Sequence, residues 1–144
     1  VRIERILVPT DFSEYSQAAL RYAIELAREH ESEVVLAHVV EPLPYGVSHW
    51  YDPAELLERY GEAASADLGR QEKEAIQLYP KCRAELHFGT VREVIDKLVS
   101  NLKVELIVIS MQGRNGLHYF LPGGTAEKIL HYAKCPVLRI RTPA

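Results

Sequence analysis

Short apolar runs alternate with segments of helical spacing along this chain, and that alternation constrains the fold more than any other feature. Ile6-Leu7-Val8, Val34 to Val40 and Leu106-Ile107-Val108-Ile109 are strand-length and nearly unbroken in apolar character, as strands covered on both faces are. From Ser16 to His30 the residues Ala19, Leu20, Ala23, Ile24, Leu26 and Ala27 keep helical spacing, and either Ser13 or Asp11 can cap that helix. Asp52-Pro53 opens a second helix that runs to Leu78 through Gly61 and Gly69, with proline at its first position. Arg83–Phe88 is a third strand, Gly89 a turn, and Thr90 the cap of a helix through Leu102. After a loop from Ser110 to Gly124, a short helix from Thr125 to Ala133 leads into Val137–Arg141, which alternates apolar and basic residues. The order β-α-β-α-β-α-β-α-β predicts a single doubly wound five-stranded parallel sheet with helices on both faces, an α/β fold of Rossmann-like type. The alternation in the last strand places it at an edge, where unpaired main-chain groups invite a second chain.

Composition narrows the class. A length of 144 residues predicts one domain, residues 1–144, and a chain of this size buries about 68–70% of its unfolded surface. Apolar residues make up 47% and charged residues 26%, which excludes a disordered chain. The net charge of −3, without a long run of one sign, argues against nucleic acid or an anionic membrane as partner. No apolar stretch approaches the roughly 20 residues of a membrane helix. Residues Val1 to Arg5 lead directly into a strand rather than a signal peptide. Cys82 and Cys135 make neither a disulfide framework nor a metal set, so a reducing cytoplasm is expected.

In an open parallel sheet, ligands bind beyond the carboxyl ends of the strands where the strand order reverses. If the first and fourth strands flank that point, Pro9-Thr10-Asp11 and the segment from Ser110 to Gly116 converge there. Gly113, Gly116, Gly123 and Gly124 fall in the second loop, where glycine lets main-chain N–H groups approach an anion. Gly123-Gly124-Thr125 then opens a helix whose N-terminus offers free donors. A phosphate cradle and a plain connecting loop with turn glycines both fit this spacing. The segment is not a P-loop, and the first strand turn lacks the clustered glycines of a dinucleotide fingerprint.

Ile6–Glu14 (ILVPTDFSE), His38-Val39 and Leu106 to Ile140 resemble the universal stress protein family, in order along the whole chain, with residues 42–80 the weakest part. The resemblance implies an adenine nucleotide alpha hydrolase-like fold and a homodimeric regulatory or stress-response module that binds ATP or AMP/ADP. Magnesium would enter with the phosphates, and dimerisation would use Val137–Arg141, with a protein partner still to be identified. The ATP-binding signature of the family is glycine, two residues, glycine, nine residues, glycine, then serine or threonine. Here its places fall on Ser110, Gly113, Gly123 and Gly124, two matching and two departing, while Pro122 removes a donor and Thr125 offers a hydroxyl one residue late. By the same resemblance Pro9, Thr10, Asp11 and Val39 line the adenine and ribose side, with Asp11 facing the ribose and Val39 reading the base through its main chain. Gly113, Arg114, Asn115, Gly116, Gly124, Thr125 and Ala126 surround the phosphates.

The alternatives are a nucleotide-free interaction protein of the same fold and a slow ATPase. No nucleophile–base pair stands out, since Ser13 suits a cap better than an activated serine. His38 reads as a core histidine with a backbone partner. His49, His87, His118 and His131 lack metal-ligand spacing. Tyr45, Trp50 and Tyr51 either cover the pocket or pack as a patch within an excursion from Glu41 to Asp52 that could serve as a lid. Arg114 either neutralises phosphate or is a solvated loop arginine.

Overall fold

The computed structural model describes residues 2–42, 52–111 and 125–141. It contains β1 (Arg5–Pro9), α1 (Glu14–His30), β2 (Glu33–Val40), α2 (Pro53–Leu78), β3 (Cys82–Phe88), α3 (Val91–Leu102), β4 (Leu106–Met111), α4 (Thr125–Tyr132) and β5 (Val137–Arg141). The strands form one parallel sheet in the order β3-β2-β1-β4-β5. The order therefore reverses at β1, with β4 on its far side, and β5 is an edge strand, as the sequence led us to expect.

Two apolar layers hold helices to the sheet. Ile6 and Val8 of β1, Val34 and Leu36 of β2 and Val108 of β4 pack against Ala19, Leu20, Ala23, Ile24 and Ala27 of α1 and Leu68 and Ala75 of α2. On the opposite face Leu7, Val35, Ala37, Ile107 and Ile109 meet Val91, Val94, Ile95 and Leu98 of α3 and Ile129 of α4. The side-chain period of two explains the split, because alternate residues of each strand serve alternate faces. Burying each of these larger side chains contributes about 1.5–3 kcal/mol.

Helix ends follow local chemistry. Ser13 caps α1 by accepting from the Ser16 N–H, and Thr90 caps α3 through the Glu93 N–H. Asp52 caps α2, whose run is unbroken through both glycines. Gly61 faces Phe88, and a Cβ there would lie 2.8 Å from the Phe88 ring, so glycine permits the end of β3 to approach the helix.

Several boundaries differ from the sequence reading. Helix α1 starts at Glu14 rather than Ser16, because Ser13 and not Asp11 is its cap. Pro9 belongs to β1, and β3 begins at Cys82. Helix α4 ends at Tyr132, one residue early. Ser110, expected in the loop, is a strand residue: β4 continues to Met111 because β5 carries its ladder on, through Ser110 opposite Ile140 and Met111 opposite Arg141.

Candidate functional site

The site begins with a proline at the end of a strand. Thr10 donates its N–H to the Ala37 carbonyl of β2, 2.8 Å away. Main-chain groups alternate sides along a strand, so Pro9 presents its amide position toward β4, and proline has no N–H to give there. Pairing between β1 and β4 accordingly stops at Leu7 opposite Ile107, while β4 runs on beside β5. The two strands part, and the gap between them is the crevice at the strand reversal.

The turn after Pro9 is held on every side. The buried Thr10 hydroxyl accepts the Phe12 N–H at 3.0 Å and lies 3.0 Å from Ser16 Oγ and 2.9 Å from Gln71 Oε1. The Thr10 carbonyl takes a hydrogen bond from Nδ1 of His38, 2.7 Å away, which makes that nitrogen the protonated one. His38 thus has the backbone partner expected from the sequence, but it is half-buried rather than a core residue. Phe12 lies against it with ring centroids 4.3 Å apart and adopts φ 68°, a left-handed conformation that costs a bulky residue roughly 1–2 kcal/mol. Asp11 is exposed, and its Oδ1 accepts the Ser13 N–H at 2.9 Å, leaving Oδ2 directed by no partner among the described residues.

Val39 adds main-chain groups to the same place. The Ala37 carbonyl points to β1 and the Val40 carbonyl accepts from Gly89 on the β3 side. Alternation then turns the Val39 N–H and C=O toward β1, beyond the last paired residues, Pro9 and Ala37. Among the described residues they have no ladder partner on that side.

Ser110 stands on the β4 face shared with Leu106 and Val108, toward α1, and its buried Oγ has no hydrogen-bond partner among the described residues. Ala126 packs partly buried against the α3–α4 layer, and Thr125 begins α4. Gly113, Arg114, Asn115, Gly116, Gly123 and Gly124 lie outside the described residues, as do Tyr45, His49, Trp50, Tyr51, His118 and Pro122. The structure thus brings together Pro9, Thr10, Asp11 and Val39, with the Thr10 side chain turned into the helix layer rather than into the crevice. Sequence reasoning missed Gln71, Ser16 and Phe12. Gln71 carried a visible signal: it interrupts the buried stripe Gly61, Ala64, Leu68, Ala75 at helical spacing.

Other reactive groups are quiet. Burial pushes the Cys82 thiol up to about 11, only partly opposed by Arg28, and burial also raises Cys135. Both cysteines are free, consistent with packing residues. Among the described residues no group of three or more His, Cys, Asp and Glu side chains could hold a metal, and no helix is long and apolar enough to cross a membrane.

A five-stranded parallel sheet with helices on both faces and a crevice at the β1/β4 reversal defines an α/β protein of Rossmann-like class. Residues 2–141 match the model of the universal stress protein family. A universal stress protein of Methanocaldococcus jannaschii is 32% identical over 144 residues, covering 97% of this chain and 83% of the relative. The solved universal stress protein UspA from Lactobacillus plantarum superposes with a TM-score of 0.79 at 26% identity, over 98% of this chain and 99% of that one. Two further structures share the fold at 19% identity. One is a universal stress protein in complex with cAMP, with a TM-score of 0.75 over 99% of this chain and 100% of that one. The other is a family protein from Arabidopsis thaliana with AMP bound, with a TM-score of 0.65 over 98% and 93%. The chain belongs to the universal stress protein family.

Proposed function

We propose that this chain binds an adenine nucleotide in the crevice where β1 and β4 part, and acts in the cytoplasm as a homodimeric regulatory or stress-response module. The observation that carries the reading is the open main-chain pair of Val39. Adenine presents an amino donor beside a ring-nitrogen acceptor, and a C=O with an N–H on one strand edge complements that pair. The free oxygen of Asp11 suits a ribose hydroxyl, which would donate to it. The glycine-rich segment with Gly113, Arg114, Asn115, Gly116, Gly123 and Gly124, together with Thr125 and Ala126 at the start of α4, supplies the phosphate side, and Mg2+ would arrive with the phosphates. The bound AMP and cAMP of the two family structures support the adenine assignment. For assembly, the edge position of β5 supports pairing of Val137–Arg141 with a second copy.

The test is calorimetric titration of nucleotide-stripped protein with AMP and with ATP, with and without magnesium, alongside the mass in solution. Micromolar affinity, about −8 kcal/mol, and a dimeric mass are expected; no heat at millimolar nucleotide overturns the reading.

One observation favours a second reading, a nucleotide-free interaction protein. Ser110 places a side chain where the family's ATP-binding signature has glycine, and its position in β4 leaves little freedom to withdraw it. No catalytic step is part of either reading, and turnover, if measured, is expected to be slow.

A further inference from the structure

We infer that Gln71 of α2 is a positioning residue for the Thr10–Ser13 turn, so that α2 governs how well Asp11 is presented to a ligand; the affinity arm of this inference rests on the nucleotide reading above. Gln71 is 6% exposed and reaches Thr10 across 61 positions of sequence.

Proton counting shows why the contact matters. Ser16 Oγ donates to the Ser13 carbonyl at 2.9 Å, so its only proton is spent and it must accept from Thr10. The single Thr10 hydroxyl proton therefore goes to Ser16, and Gln71 has to act as donor. The two ends of an amide are assigned by their hydrogen bonds. Turning the Gln71 amide over directs Nε2 at Thr10 Oγ1, and Oε1 takes the buried place where Nε2 has no partner among the described residues. Thr10 Oγ1 then donates once, to Ser16, and accepts twice, from Gln71 and the Phe12 N–H, which fills its capacity.

This clamp opposes a definite tension. Phe12 is held at φ 68°, and a bulky residue stays in that region only when its surroundings over-determine it. The Phe12 N–H bond to Thr10 Oγ1 is one restraint, and its acceptor is oriented by Gln71 and Ser16. Without Gln71 the hydroxyl can rotate, Phe12 can leave the left-handed region, and the neighbouring Asp11 loses its fixed direction.

The deciding experiment uses Gln71→Met, which conserves volume without hydrogen bonds, and Gln71→Glu, which replaces the donor by an acceptor. Hydrogen exchange at the Phe12 amide is compared with exchange in β1 and β2, and AMP affinity is measured for each variant. In both variants Phe12 exchange is expected to accelerate about tenfold relative to the strands, with AMP affinity weakened by a similar factor. Coupling between Gln71 and Thr10 is checked with Thr10→Val, whose effect should not add to that of Gln71→Met. A lowered melting temperature with unchanged relative exchange at Phe12 would make Gln71 a packing residue and overturn the inference. Accelerated Phe12 exchange in a protein that binds no AMP would instead keep the clamp and reject the nucleotide reading. Should Gln71→Glu fail to fold, Gln71→Met alone decides.

Discussion

The two ends of the sheet solve the same problem in opposite ways. At the start of the strands, charges close on one another: Arg5 and Arg83 both reach Glu33, at 3.4 and 3.2 Å. From Arg83 a charged row runs along the edge strand β3 toward its carboxyl end: Arg83 also pairs with Glu85, level with Ala37, and His87, level with Val39, meets Glu85 at 2.8 Å. Arg5 further donates to the Leu102 carbonyl and Tyr79 to the Ser32 carbonyl. At the carboxyl end, the Thr10 turn is equally well bonded, yet its bonds run inward, to Ser16, Gln71 and His38. What remains outward is the Val39 main-chain pair and one oxygen of Asp11. The charged end uses its groups on itself; the reversal end satisfies its own structure from within and keeps donors and acceptors for something else. Saturated ion pairs at a half-exposed surface are worth little to stability, so the first end resembles a finished surface and the second a site.

That contrast can be broken, most severely through the core beneath both ends. Leu36 is 1% exposed, and Leu36→Ala should lower unfolding free energy by about 3 kcal/mol in urea melts, loosening both ends together. Selective loss at one end would show that they are not a single cooperative unit.

Next in size is Asp11→Ala. Losing a charge-assisted contact should weaken AMP binding by about 2 kcal/mol, roughly thirtyfold, in calorimetry, while the melting temperature shifts little. Unchanged affinity would remove Asp11 from the site.

Pro9→Ala sharpens the comparison without removing a side-chain contact. It restores an N–H facing β4, so the ladder is expected to extend past Leu7, with the new amide protected from exchange. The gain of one hydrogen bond, about 1 kcal/mol, is offset by the greater freedom of the unfolded chain. Nucleotide affinity should fall as the gap closes; an unprotected amide at the substituted position would mean something other than proline parts the strands.

The smallest effect belongs to the charged row of β3, from Arg83 to His87. Burial pushes the Glu85 carboxyl up, but hydrogen bonds from His87 and Arg83 outweigh it and hold the group below its ordinary value of 4.5. A carboxyl depressed on folding stabilises the fold above its unfolded value, and that contribution is lost as pH falls through the lower folded value. Glu85→Gln should therefore reduce stability slightly at pH 7 and flatten the acid side of the stability profile below about pH 4.5, read by thermal melts between about pH 3 and pH 7. Nucleotide affinity at pH 7 should be untouched.

Much of the fold was legible because burial imprints a period on the chain. Ala19, Leu20, Ala23, Ile24 and Ala27 could only be a helix face, and Thr90 announces a cap three residues before Glu93. Ser110 was misplaced because a serine after an apolar run resembles a loop start; its strand state comes from Ile140, far along the chain on β5. In the candidate site Asp11 was legible from its place after the first strand at the reversal and Val39 only through family resemblance, whereas the partner of Gln71 was not legible. A polar residue in an apolar stripe signals a buried partner without saying which.

By itself the sequence determined the kinds and order of the elements, the caps at Asp52 and Thr90, and the missing N–H at Pro9, since each depends on residues within a turn or a strand of one another. Only the tertiary structure decided that β1 lies between β2 and β4, which turned that missing N–H into a crevice. It alone also brought Gln71 to Thr10. Strand order and the meeting of side chains 61 positions apart are set by how two apolar layers close around the sheet, and no local period carries that information.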